Sequence, residues 1–185
     1  MSPRARVVRS ALAALVALGA LAVPAWSLPN TVSPAPAPLF SISKSENRNI
    51  VQFVERLDAS CAPLGEAPIY AFWRMLEHGP AATEPLLARE QPAYGIAAQS
   101  VTARGPSFGE VRVKLRALPQ SVLVVESHRN AAGACEASAR LPIDGVDARL
   151  ANVHAVLRWP FGVSRLWVTG WSIADGRPVR DARSP

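Results

Sequence analysis

From about residue 39 onward, apolar and polar residues mostly alternate with a period of two, the spacing of half-buried β-strands. The cleanest case sets Val111, Val113 and Leu115 against Glu110, Arg112, Lys114 and Arg116. Ile69, Ala71 and Trp73 alternate with Tyr70, Phe72 and Arg74, large apolar groups falling on both sides, so both faces are expected to be covered. Val122 to Val125 is a continuous apolar run, read as a central strand covered on both faces. Further strands are expected over 39–43, 50–57, 94–102, 135–141, 148–159, 163–173 and 178–180. Polar or Gly-containing turns separate them at 44–49, 105–109, 144–145 and 175–176.

One segment breaks the alternation. After Gly79-Pro80, Thr83 reads as a helix cap, with Glu84 and Pro85 in the first turn and Leu86, Leu87 and Glu90 completing about two turns. Pro92 reads as the stop, because the residue before a proline avoids the helical region. About nine strands with one short helix predict a mainly β fold, a single antiparallel β-sandwich or partly open barrel. A βαβ arrangement lacks the helices it requires.

Arg4, Arg6 and Arg9 precede an apolar run from Ala11 to Val23, and small residues follow at Ala25 and Ser27. This is the layout of a secretory signal peptide, expected to be cleaved after Ala25 or Ser27. The run is short for a membrane span, which takes about 20 residues. Residues 1–27 are therefore assigned to the leader, 28–38 to a Pro/Ala-rich linker and 39–185 to one domain, with no transmembrane segment after cleavage. Location follows as exported, periplasmic or extracellular. The whole chain carries +6; the leader removes three arginines and no acid, leaving 17 basic against 14 acidic residues, or +3. A balance that small gives no footprint for nucleic-acid binding. The two cysteines, Cys61 and Cys135, are expected to pair in an oxidising compartment.

The order of several short motifs is informative. Ser43 to Val51 reads SKSENRNIV, Pro68 to Trp73 reads PIYAFW, Ala93-Tyr94-Gly95 follows, and Val168 to Val179 reads VTGWSIADGRPV. In this order they resemble the domain of unknown function 4833 family of exported or envelope-associated proteins, over about Phe40 to Arg180. The chain departs from the family pattern in carrying Arg and Ala at many Lys and aromatic positions. The resemblance implies the fold and boundaries and no activity.

Candidate chemistry is sparse. Gly105-Pro106-Ser107-Phe108-Gly109 matches a nucleophile-elbow pattern, but that motif needs a helix after the serine and here a strand follows, so a hairpin turn is expected. His78, His128 and His154 have no metal-ligand spacing, and no metal or cofactor is expected. Glu126 and His128 share a strand face, as do His154 and Asn152, and these are the residues a small hydrolase-type enzyme would use. Trp167 and Trp171 share a face with Arg165 and are assigned to the core in preference to a stacking platform. Arg112, Lys114 and Arg116, with Arg104, form a basic stripe expected to be a solvated face that guards an edge strand. Lys44, Asn47 and Asn49, with Trp73 and Tyr94 as apolar neighbours, are the expected ligand contacts, on their match to the family-like motif. The sequence thus predicts a monomeric, non-catalytic binding or structural module of the cell envelope, its ligand or protein partner unspecified, with the hydrolase as the alternative.

Overall fold

A computed structural model describes residues 35–158 and 162–184. The expected leader, the linker up to residue 34 and Trp159 lie outside the described residues. Eleven strands and one short helix follow in the order β1 (Ala37–Lys44), β2 (Ile50–Glu55), β3 (Ile69–Arg74), β4 (Thr83–Pro85), α1 (Gln91–Tyr94), β5 (Ile96–Gly105), β6 (Phe108–Leu115), β7 (Val122–Arg129), β8 (Cys135–Ile143), β9 (Val146–Arg158), β10 (Gly162–Ser172) and β11 (Pro178–Arg183). The domain is mainly β, built on a single open sheet.

The sheet forks at β9. Along one edge β9 pairs with β10, which carries β11. Along the other, its first part pairs antiparallel with β8 and its second part, Asn152 to Ala155, pairs with β1. The β1–β9 pair is parallel, whereas the other strand pairs are antiparallel. Two limbs leave the fork, β1–β2–β3–β4 and β8–β7–β6–β5. They share one apolar core, in which Phe40, Val51, Phe53 and Ile69 of the first meet Val111, Leu115, Leu123 and Leu141 of the second. At the far ends of the limbs the Gln99 side chain stands in for a strand pairing. Its amide oxygen accepts from Ile69 N and its nitrogen donates to Ile69 O, both at 3.0 Å. The disulfide Cys61–Cys135 joins the β2–β3 connection to the start of β8. Asp58 shapes that loop, its carboxylate accepting from Ser60 N, Ser60 Oγ and Ala62 N. The same bonds hold its carboxyl below the usual range, the Ser60 hydroxyl first.

The helix is displaced from its expected place. Thr83 to Pro85 is a short edge strand on β3, and the helical turn lies at Gln91–Tyr94 with Pro92 in its first turn. Proline lacks an N–H, so it tolerates a sheet edge and equally a first helical turn, where the N–H has no partner anyway. The residue read as a stop is therefore a start. The run from Val122 is covered on one face only, since Val122 is exposed while Leu123 and Val125 are buried. β6, which bears Arg112, Lys114 and Arg116, has β5 and β7 on its two sides, so the stripe faces solvent from an interior strand rather than guarding an edge. Pro106-Ser107 forms the two-residue hairpin turn between β5 and β6, Ser107 taking the positive φ of 72°. Asp144-Gly145 joins β8 to β9 with φ of 52° and 72°, as a type I′ hairpin turn requires.

Candidate functional site

Three chain segments converge on one pocket of about 170 Å³. Its walls come from Lys44, Asn47 and Asn49 at the β1–β2 turn, Trp73 and Met75 after β3, and Glu84 and Glu90 from the connection to α1. Trp73 is its floor. The alternation of β3 turns Ile69 and Trp73 towards the core, so the indole is only 8% exposed. Its N–H donates to Glu90 Oε2 at 2.9 Å, and the same oxygen accepts from Leu87 N at 2.9 Å. Lys44 closes the other side, with Nζ 5.3 Å from the centre of the Trp73 ring and 3.8 Å from Glu46. A cation over an indole face is a favourable pairing that still leaves the ammonium N–H groups able to donate.

The two asparagines differ in role. Asn47 Oδ1 accepts from Asn49 N at 3.1 Å, a local turn bond, and its amide nitrogen has no partner among the described residues. Asn49 is 7% exposed and its amide is engaged with Glu77, accepting from Glu77 N at 3.2 Å and donating to Glu77 Oε2 at 3.5 Å. It holds the turn in place. Tyr94 meets Trp73 edge-on, ring centres 5.3 Å apart, and stands behind the indole rather than in the pocket wall. Burial first, then the Glu46 and Glu90 carboxylates, push its phenol up from the ordinary value, so it stays neutral.

Of the expected contacts, Lys44, Asn47, Asn49 and Trp73 line one pocket and Tyr94 supports its floor. Glu84 and Glu90 join them, which no spacing signalled, because they arrive through the fold of the β3–β5 connection. The residues of the hydrolase alternative are apart. Glu126 binds Arg140 at 2.7 Å and His128 is exposed, both on β7. His154 on β9 is bonded through Nδ1 to Ser43 Oγ at 2.9 Å. Asn152 extends that array, donating to Ser43 Oγ at 3.1 Å and accepting from Ser41 Oγ at 3.0 Å. Ser43 and His154 are directly opposed partners on the parallel pair, so the array follows from register.

Trp167 and Trp171 are not core. Leu166 and Val168 face inward, whereas Trp167 is half-buried and Trp171 is 52% exposed on the outer face. Glu55 keeps the phase of Val51 and Phe53 along β2, and this phase is the one signal in the sequence for its burial. It is 0% exposed, neither carboxylate oxygen has a hydrogen-bond partner among the described residues, and burial pushes its carboxyl up to about 7. Among the described residues no three His, Cys, Asp or Glu side chains stand together as a metal site.

The family model for the domain of unknown function DUF4833 matches residues 40–182. The chain belongs to the DUF4833 family. The match begins in β1 and ends in β11, so it takes in the whole forked sheet and both sides of the Lys44–Trp73 pocket. No curated protein and no solved structure matches the chain significantly.

Proposed function

We propose that this DUF4833 domain is an exported, non-catalytic binding module of the cell envelope that holds a small polar ligand over Trp73. The observation that carries the reading is the convergence of Lys44, Asn47, Glu84 and Glu90 on one aromatic floor. A cation, an amide and two carboxylates around an indole suit a polyhydroxylated or zwitterionic molecule, with the ring taking its apolar side. The Cys61–Cys135 bond supports an oxidising location, where such bonds persist. The leader-like residues 1–27 support export. Among the described residues no helix is long and apolar enough to cross a membrane. The separation of Glu126 and His128 from His154 is the reason to prefer binding to hydrolysis.

Native mass spectrometry of the chain purified from its own envelope fraction tests the proposal. The expected result is a bound small molecule that Lys44→Ala releases. A bare chain, or a bound mass indifferent to both Lys44→Ala and Asn47→Ala, overturns it.

A further inference from the structure

Trp171 is an unusual surface residue. It lies on the outer face of β10, with β9 on one side and β11 on the other, and is half exposed away from any sheet edge. The open apolar area extends beyond the indole, because Ile173 in the following turn is 47% exposed and lines the hollow beside it. The indole separates two hollows. One, of about 270 Å³, is lined by Thr169, Pro178, Val179 and Arg180. The other, of about 280 Å³, is lined by Arg149, Ser172, Ile173 and Gly176. Each hollow therefore has Trp171 as one wall and one arginine.

One of the charges beside the indole is held by a second tryptophan. Four residues back on the same face, Trp167 carries the Arg180 guanidinium 3.7 Å from its ring centre and that of Arg165 at 5.4 Å. Neither arginine has a carboxylate within ion-pair distance among the described residues, and Arg149 has only Glu136 at 3.8 Å. Asp181 is on the inward side of β11, bound by Arg183 at 2.9 Å. Stacking on Trp167 orders Arg180 in advance, so little of its side-chain freedom remains to be lost when an anion arrives, whereas Arg149 is met only by Glu136.

We propose that this outer face of β9, β10 and β11 binds an acidic polysaccharide. Trp171 stacks against sugar rings, and Arg180 and Arg149, one in each hollow, take the carboxylates of successive units. A guanidinium fork matches a carboxylate two bonds at a time, and the apolar side of a sugar ring matches an indole. Two separate hollows, each with one arginine, suit a chain of carboxylated rings, and the vesicle arm of the test below separates this from a lipid surface. The site is separate from the Lys44–Trp73 pocket: Ser43 faces the array of Asn152 and His154 on this side, and Lys44, the next residue of β1, faces the other.

The test is a fluorescence titration of the full chain with mannuronate oligomers, neutral cellulose oligomers and phosphatidylglycerol vesicles. Mannuronate is expected to bind with an affinity that falls as salt is raised. Trp171→Ala and Arg180→Ala, both at exposed positions, are each expected to weaken it roughly tenfold or more. Arg112→Ala, which removes an exposed arginine from β6 outside both sites, is expected to leave it unchanged. Absence of mannuronate binding, equal affinity for the neutral oligomer, indifference to both outer-face substitutions, an equal loss on Arg112→Ala, or binding to vesicles alone would each overturn the proposal.

Discussion

Replacing Glu55 with methionine should stabilise the domain, and increasingly so as pH rises. The carboxyl is fully buried on the core face of β2, with no hydrogen-bond partner and no ion pair among the described residues. Its pKa is raised from 4.5 to about 7 by burial. The folded state therefore holds a proton that the unfolded chain releases between these values, and stability falls as pH rises through the window from 4.5 to 7. Below 4.5 both states are protonated and the carboxyl adds no pH dependence. Above 7 the folded state bears a buried carboxylate, which costs about 3 kcal/mol relative to the acid pH limit. Most of that loss falls between pH 5 and pH 8. Methionine fills a similar volume without a charge and removes that slope. Urea unfolding followed by tryptophan fluorescence at pH 5, 6, 7 and 8 gives the comparison, the difference between the two proteins isolating Glu55 from other titrating groups. At pH 8 the variant should gain about 3 kcal/mol, or near 10 °C in Tm. A difference between the two proteins that does not change from pH 5 to pH 8, or a variant less stable at pH 8, would refute the reasoning.

Three other outcomes are expected. Mass analysis of the native protein should show two hydrogens fewer than the dithiol, and reduction should lower stability by about 4 kcal/mol, since the bond closes a loop with a sequence separation of 74; two alkylatable thiols in the native protein would refute this. Glu90→Ala should leave the buried Trp73 N–H and the Leu87 N–H without their acceptor, costing about 1–3 kcal/mol in denaturant unfolding and red-shifting the tryptophan emission. Gly170→Ala should cost at least about 1–3 kcal/mol, because a Cβ there would come 2.3 Å from the Arg149 carbonyl oxygen across the β9–β10 ladder and the backbone must shift; an unchanged unfolding midpoint would contradict it.

Most strand positions were legible because period-two alternation records which side of a strand meets the core. Val111, Val113 and Leu115 are buried and Arg112, Lys114 and Arg116 are exposed, as that pattern requires. The Asp144-Gly145 turn was legible for a local reason, since few residues accept successive positive φ angles. The helix was misplaced because Thr83 to Tyr94 has no strong period. Its prolines and polar groups suit a cap, an edge strand or a first helical turn equally, and packing against Trp73 through Glu90 and Tyr94 settled which. The tryptophans of β10 belong to the core only if a second layer covers their face, as in a sandwich; in this open sheet the core lies on the Leu166 and Val168 side. Glu55 follows the phase of its strand, a signal that its residue type masks because a carboxylate seldom stands in a core.

The sequence by itself determined the mainly β class, most of the strand and turn positions and membership of the DUF4833 family, because each rests on local periodicity, local backbone preference or motif order. The tertiary structure decided how the strands meet. The fork at β9 and the parallel β1–β9 pair join segments more than a hundred residues apart, and no local pattern specifies a partner at that distance. The same long-range pairing placed Lys44 over Trp73, set Glu84 and Glu90 beside them and left Trp171 open between its two arginines. Alternation fixes which face a side chain occupies; only register and sheet order fix which side chains share that face.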